Sequence, residues 1–323
     1  MINLYLLEDA YGFGNKILMW EAWFHFLSKQ DEDFTIFVCE KRQFPEMKFF
    51  NYPKTEDGCS GYEYKGREQP LKNIKDDQTV NRDKGCFCGS KPIELKELST
   101  HTTDKVKSGN YIALGGMEFN SDFYLETANY DGATGYHSYN RPLQKIKVKD
   151  GHYFNKIKKR LKGVVGVHVR RGDVHNDGLG HFRELEFYTN IMDKIVEYNS
   201  EQEFYLSTDG VYGEVKYLHD NYNIIISEDF GYKPHYRFMR YPMECPKFSM
   251  PDLTDILSLR SCMTLIPSES TWSDVCIYWN SVYRLENLNQ VEVLFNDKLL
   301  DDKGFPYGST DRVRDWVNIN ERI

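Results

Sequence analysis

The chain alternates short apolar runs with longer segments whose apolar residues recur at helical spacing. The most continuous run is Gly163-Val164-Val165-Gly166-Val167-His168-Val169, and it ends in Arg170-Arg171-Gly172-Asp173. Read with the two-residue period of a strand, Val165, Val167 and Val169 point one way, and Val164, His168 and Arg170 the other. Such a run predicts a strand buried in a parallel sheet, with charge only where it ends. Residues 2–7, 34–38, 111–114, 204–207, 223–227 and 263–266 predict further strands. Between them, Ile17, Trp20, Trp23 and Leu27 form one helical stripe, and Leu185, Tyr188, Ile191 and Ile195 another, over 184–198. Shorter helices are predicted at 211–219, 252–260 and 274–280, and Val313, Trp316 and Val317 predict a docked closing helix over 311–320. Alternation of this kind predicts an α/β protein with parallel sheets.

A length of 323 residues suits two domains, placed at 1–155 and 156–323, the basic segment 145–162 holding the junction and a helix. Residues 51–110 lose all periodicity and read as an irregular insertion, a lid on the acceptor side. Residues 124–139 are aromatic and turn-rich, and 230–249 read as a surface loop.

In open α/β sheets ligands bind beyond the carboxyl ends of the strands. Three predicted strand ends in the second half carry polar clusters, at 168–173, 207–210 and 267–273. Arg170 suits a diphosphate, because a guanidinium meets phosphate oxygens in pairs; the alternative is a surface ion pair of Arg170 and Arg171 with Asp173. The hydroxyls of Ser268, Ser270, Thr271 and Ser273 can cap a helix or cradle a phosphate. Asp209 could accept from a base or a ribose. At the other end of the chain, Tyr11-Gly12-Phe13-Gly14-Asn15 makes a glycine turn between a strand and a helix, where a backbone can approach a ligand closely.

A net charge of -8 speaks against nonspecific binding of nucleic acid, so an anionic ligand must be met locally. No run reaches the about 18 apolar residues of a membrane span, which leaves only peripheral association open. The first residues lack the pattern of a signal peptide, and a cytoplasmic protein is expected. Among the 7 cysteines, Cys86 and Cys88 with Cys39 and Cys59 could hold a metal. No second pair stands at zinc spacing, and reduced structural thiols without a metal site are expected. The 23 tyrosines and 20 phenylalanines either pack the cores or offer faces on which rings stack.

His168-Val169-Arg170-Arg171-Gly172-Asp173 resembles the first motif of the α1,2-, α1,6- and protein O-fucosyltransferase superfamily, inverting enzymes of the GT-B arrangement. Gly12-Phe13-Gly14-Asn15, residues 204–209 and the run 252–279 are similar to the other motifs of that superfamily, in the same order and nearest to its α1,2 group. The resemblance implies two Rossmann-like domains with parallel sheets facing across a cleft, a GDP-fucose donor, a glycan acceptor, and neither metal nor cofactor. It also implies roles. Arg170 would hold the β-phosphate and His168 the nucleoside, with Asp209 on the guanine and Ser270 and Thr271 on the diphosphate. Ser207, Ser268 and Arg171 would complete the donor side, and Gly12, Phe13, Gly14 and Asn15 would face the donor sugar. The base that takes the acceptor proton would be Asp177, Asp173 or His175, in that order, with Asp173 also suited to bracing the arginines. Gly210 stands where relatives often carry a second acid, and Lys16 where glutamine is usual, which leaves a different deoxyhexose or a pentose open as the donor sugar. A nucleotide-sugar binding protein without catalysis is the remaining alternative.

Overall fold

The computed structural model describes residues 1–6, 13–38, 45–52, 55–57, 96–99, 105–114, 146–171, 183–232, 248–280 and 282–295. They fall into two compact units, divided between Lys149 and Asp150.

The first unit contains β1 (Ile2–Tyr5), α1 (Phe13–Ser28), β2 (Phe34–Val38), β3 (Phe50–Asn51), β4 (Thr55–Asp57), β5 (Lys96–Ser99), β6 (Gly109–Leu114) and β7 (Lys147–Val148). Five of these strands form one parallel sheet in the order β4-β2-β1-β6-β5, and β3 and β7 make a separate antiparallel pair. Ile2 and Leu4 of β1 and Ile36 and Val38 of β2 are buried, and the indoles of Trp20 and Trp23 on α1 are fully enclosed. Phe24 closes edge-on against Phe34, with ring centroids 5.2 Å apart. These aromatics are core. Two expectations change here. β4 and β5 are strands of the sheet, although both fall in the stretch that reads as an irregular insertion. And α1 begins at Phe13, so Gly14 and Asn15 belong to its first turn rather than to the loop before it.

The second unit contains α2 (Gly151–Arg160), β8 (Val165–Val169), α3 (Leu185–Tyr198), β9 (Glu203–Thr208), α4 (Tyr212–Asn221), β10 (Asn223–Ile225), α5 (Met250–Leu259), β11 (Thr264–Ile266), α6 (Thr271–Asn280), β12 (Tyr283–Arg284) and α7 (Leu288–Phe295). Its sheet is wholly parallel in the order β10-β9-β8-β11-β12. Counted along the chain this is the 3-2-1-4-5 order of a Rossmann half, and the direction of winding reverses between β8 and β11. The two faces of β8 are divided as its period requires. Val165, Val167 and Val169 pack with Tyr188, Ile191, Met192 and Ile195 of α3 and Val215 and Leu218 of α4. On the opposite face Gly166 makes room for Leu265 of β11 and Leu259 of α5, because an added Cβ would stand 3.0 Å from Leu265 Cδ1 and 3.3 Å from Leu259 Cδ2. α5 carries Pro251 in its first turn, and both the backbone N–H and the hydroxyl of Ser249 donate to Asp252 Oδ2, at 2.8 and 2.7 Å.

β12 and α7 have no counterpart among the sequence expectations. α6 starts at Thr271, three residues earlier than its apolar pattern suggests, which puts Ser273 inside its first turn. The stretch 230–249 is loop-like in sequence, yet its described ends, Phe230 and Phe248, are both buried. The helix expected at 311–320, the segment 124–139 and the cysteines Cys39, Cys59, Cys86 and Cys88 lie outside the described residues. Cys262 and Cys276 are buried free thiols. Among the described residues no helix is long and apolar enough to cross a membrane.

Candidate functional site

The reversal between β8 and β11 puts the carboxyl ends of both strands at the switch point, where open α/β sheets bind ligands. His168, on β8, is 5% exposed and turns its ring toward the loop that leads from β11 into α6. Its Nδ1 lies 2.7 Å from Ser273 Oγ and 2.8 Å from Ser268 Oγ. Ser270 is the N-cap of α6: its Oγ accepts from the Ser273 N–H at 3.3 Å, and its carbonyl from the Asp274 N–H at 3.1 Å. The serine cluster therefore caps the helix and also grips the histidine. Thr271 opens α6 beside it.

Burial pushes the His168 imidazole down to about 4; the Asp209 charge works against this, and Arg170 adds to it. His168 is therefore neutral at pH 7. A histidine in the unfolded chain titrates near about 6.5, so between about 6.5 and about 4 the unfolded state binds more protons. The contribution of His168 to stability is complete above that window and is lost as pH falls through it. Urea titrations of wild type and His168→Gln at pH 7, 5.5 and 4.5 are expected to show an extra acid loss in wild type. Parallel profiles would remove this histidine from the acid response.

The two arginines that follow β8 take different places. Arg171 is buried, and its Nη1 donates to the carbonyls of Arg170 at 3.0 Å and Arg183 at 2.8 Å, with the guanidinium 6.0 Å above the Tyr188 ring. Burial lowers its affinity for its proton. Its backbone N–H donates to Asp209 Oδ1 at 2.6 Å, which ties the exit of β8 to that of β9. Gly210 makes room for this arrangement: a Cβ there would meet Arg171 Cβ and Cγ at 2.8 Å and Glu214 Oε2 at 2.9 Å. The space that a second acid would occupy holds Arg171. Arg170 is half-buried at the strand end, close enough to His168 to disfavour a charge on its ring.

Ser207 stands opposite His168 in register, and its hydroxyl donates to Asp255 Oδ2 at 3.0 Å. Tyr205 OH donates to the other oxygen of the same carboxylate at 2.6 Å. Sequence reasoning passed over Asp255; its signal was an acid set in the apolar run of α5. It passed over Arg183 as well, which gave no signal. Arg183 joins Glu286 at 2.9 Å, Glu269 at 3.3 Å and the Pro267 carbonyl at 3.3 Å, and so fastens the loop after β11.

In the first unit Phe13 and Gly14 are buried at the start of α1, and Phe13 stacks on Phe50 at 5.6 Å. Asn15 lies in the same turn. Lys16 Nζ meets Glu46 Oε1 at 3.0 Å, and both side chains are nearly enclosed. Glu46 belongs to a 3-10 turn, Pro45–Phe49, that follows β2. Gly12, Asp173, His175 and Asp177 lie outside the described residues.

In the second unit the described residues thus bring together a cation, a neutral imidazole, a carboxylate and a set of hydroxyls at the switch point of a Rossmann-type sheet. That combination fits a ligand with a compact anionic group and a polar ring edge. No protein-family model matches the sequence, and no curated protein matches it. Among solved structures the chain is similar to the fucosyltransferase NodZ from Bradyrhizobium, at 12% identity over 85% of this chain and 92% of that one, with a TM-score of 0.44. It is similar also to a NodZ α-1,6-fucosyltransferase co-crystallised with GDP, at 13% identity over 85% and 91% with a TM-score of 0.43. A third likeness is to an Arabidopsis thaliana FUT1 variant in complex with GDP, at 10% identity over 89% and 71%, again with a TM-score of 0.43.

Proposed function

We propose that the protein is an inverting, metal-independent glycosyltransferase of the GT-B type that transfers fucose from GDP-fucose to a hydroxyl of a glycan. The observation that carries this reading is the grouping of Arg170, His168 and Asp209 around the end of β8, at the point where the sheet reverses. In it Arg170 binds the β-phosphate and neutralises the charge that builds on GDP as the glycosidic bond breaks. His168 meets the nucleoside, and Asp209 serves the base while bracing the Arg171 backbone. Ser207, Ser268, Ser270 and Thr271 complete the donor side around them. Gly12, Phe13, Gly14 and Asn15 belong to the donor-sugar side in the first unit. The acceptor hydroxyl needs a carboxylate or an imidazole to take its proton, and Asp177, Asp173 and His175 are the candidates in the segment that follows Arg171.

A second reading keeps the fold and mechanism and changes the donor. The contact of Arg171 with Gly210 favours it, because the second acid that often accompanies guanine recognition in the resembled superfamily is missing there. One experiment separates the two. The protein is incubated with GDP-fucose and mixed glycan acceptors, with and without chelator, and GDP release is followed. Release that depends on acceptor and survives the chelator is expected. The fucosyl assignment fails if GDP-fucose neither binds nor turns over while another nucleotide sugar does. Binding without turnover on any acceptor leaves a nucleotide-sugar binding protein.

A further inference from the structure

Three serine hydroxyls converge on one nitrogen. His168 Nδ1 lies 2.7 Å from Ser273 Oγ, 2.8 Å from Ser268 Oγ and 3.4 Å from Ser270 Oγ. Ser273 is 0% and Ser268 1% exposed, so neither hydroxyl proton can go to water. Ser273 Oγ already accepts the Ser268 N–H at 3.1 Å, and Ser270 Oγ accepts the Ser273 N–H at 3.3 Å. An imidazole nitrogen is either a donor or an acceptor in the plane of its ring. If Nδ1 carried the proton, the Ser273 proton would have to reach Ser268 Oγ at 3.3 Å, the long hydroxyl contact of the group, and the Ser268 proton would turn to Ser270. If Nδ1 accepts, its one lone pair takes the Ser273 proton at 2.7 Å and Ser268 donates to Ser270 Oγ at 3.0 Å. Only the second arrangement gives every enclosed proton a short partner.

We propose that Ser273 and Ser268 are positioning residues that fix His168 with Nδ1 as acceptor, so that its one proton stands on Nε2 as a donor to the ligand. No described residue accepts from Nε2. The inference rests on the donor-site reading above and adds the ligand edge that the site selects: a base that offers a carbonyl oxygen there, in preference to one that offers an amino group.

The test begins on the ligand-free protein. Long-range 1H–15N spectra of the histidine rings, with His168 assigned by its loss in His168→Gln, are expected to show an unprotonated Nδ1 and a protonated Nε2 at pH 7. In Ser273→Ala the signal is expected to move toward a mixture of tautomers. Calorimetry with GDP is expected to show binding about ten-fold weaker in Ser273→Ala and largely restored in Ser273→Thr, which keeps the hydroxyl. The preference of the wild type for GDP over ADP is expected to shrink in Ser273→Ala. A protonated Nδ1 or an imidazolium in the wild type overturns the proposal even if Ser273→Ala does not fold. An unchanged tautomer and affinity in a folded Ser273→Ala protein overturns it too. If the wild type binds no GDP while Nδ1 is an acceptor, the donor reading fails and the positioning role stands.

Discussion

Arg170→Ala is expected to lower acceptor-dependent release of GDP from GDP-fucose by about two to three orders of magnitude, with the Tm little changed. The size follows from where charge develops. As the glycosidic bond breaks, negative charge accumulates on the β-phosphate, and a guanidinium held beside it stabilises that state more than the intact donor. Such a loss falls on kcat rather than on KM. The fold is expected to survive, because Arg170 is half-buried beyond the last residue of β8, whereas the strand itself is anchored by its valines. Arg171→Ala has the opposite profile. Its guanidinium is enclosed and donates to the carbonyls of Arg170 and Arg183, so its loss removes both hydrogen bonds from the exit of β8 and reads first as instability. Arg170→Lys keeps the charge without the paired donors and is expected to fall between wild type and alanine. An Arg170→Ala enzyme that keeps wild-type kcat would remove this residue from the phosphate role.

That division between neighbouring arginines shows how far the sequence could be read. Strand β8 was legible because it is buried on both faces, and a strand of that kind leaves a continuous apolar run. The helices α1 and α3 were legible through their stripes. β4 (Thr-Glu-Asp), β5 (Lys-Glu-Leu-Ser) and β12 were not: they are two to four residues long, and they join their sheets through backbone hydrogen bonds to a neighbour whose identity no side-chain pattern encodes. The site divides in the same way. That polar clusters would lie at three strand ends followed from the parallel sheet, and so did His168 near the end of β8 with Arg170 just beyond it. That Ser273 would hold His168 across 105 residues of chain, or that Ser207 would turn to Asp255 48 residues away, depends on how close two elements pack. Gly210 belongs to the same group, since the approach of Arg171 and Glu214 leaves no room for a side chain there.

The second large effect lies in the first unit. Glu46→Ala is expected to destabilise the protein by up to about 3–5 kcal/mol, the usual cost of breaking a buried ion pair by removing one of its charges. Lys16 and Glu46 meet at 3.0 Å with side chains 9% and 3% exposed, so water can replace little of what the carboxylate supplies to the ammonium. The pair is not itself a strong source of stability. Among the described residues Glu46 Oε2, which is buried, has no hydrogen-bond partner, and desolvating both charges offsets much of their attraction. Replacing both residues, Lys16→Met with Glu46→Leu, is therefore expected to return stability to the wild-type level or slightly above it, while either single change lowers Tm on the order of 10 °C. The pair links the first turn of α1 to the turn after β2, and that first turn carries Phe13, Gly14 and Asn15. In the single variants activity is expected to fall at temperatures where the unit loosens, and to return with stability in the double variant. Denaturant titrations of the three proteins decide the matter: a Glu46→Ala protein as stable as the wild type would show that Lys16 finds adequate compensation elsewhere, and that α1 does not depend on this carboxylate.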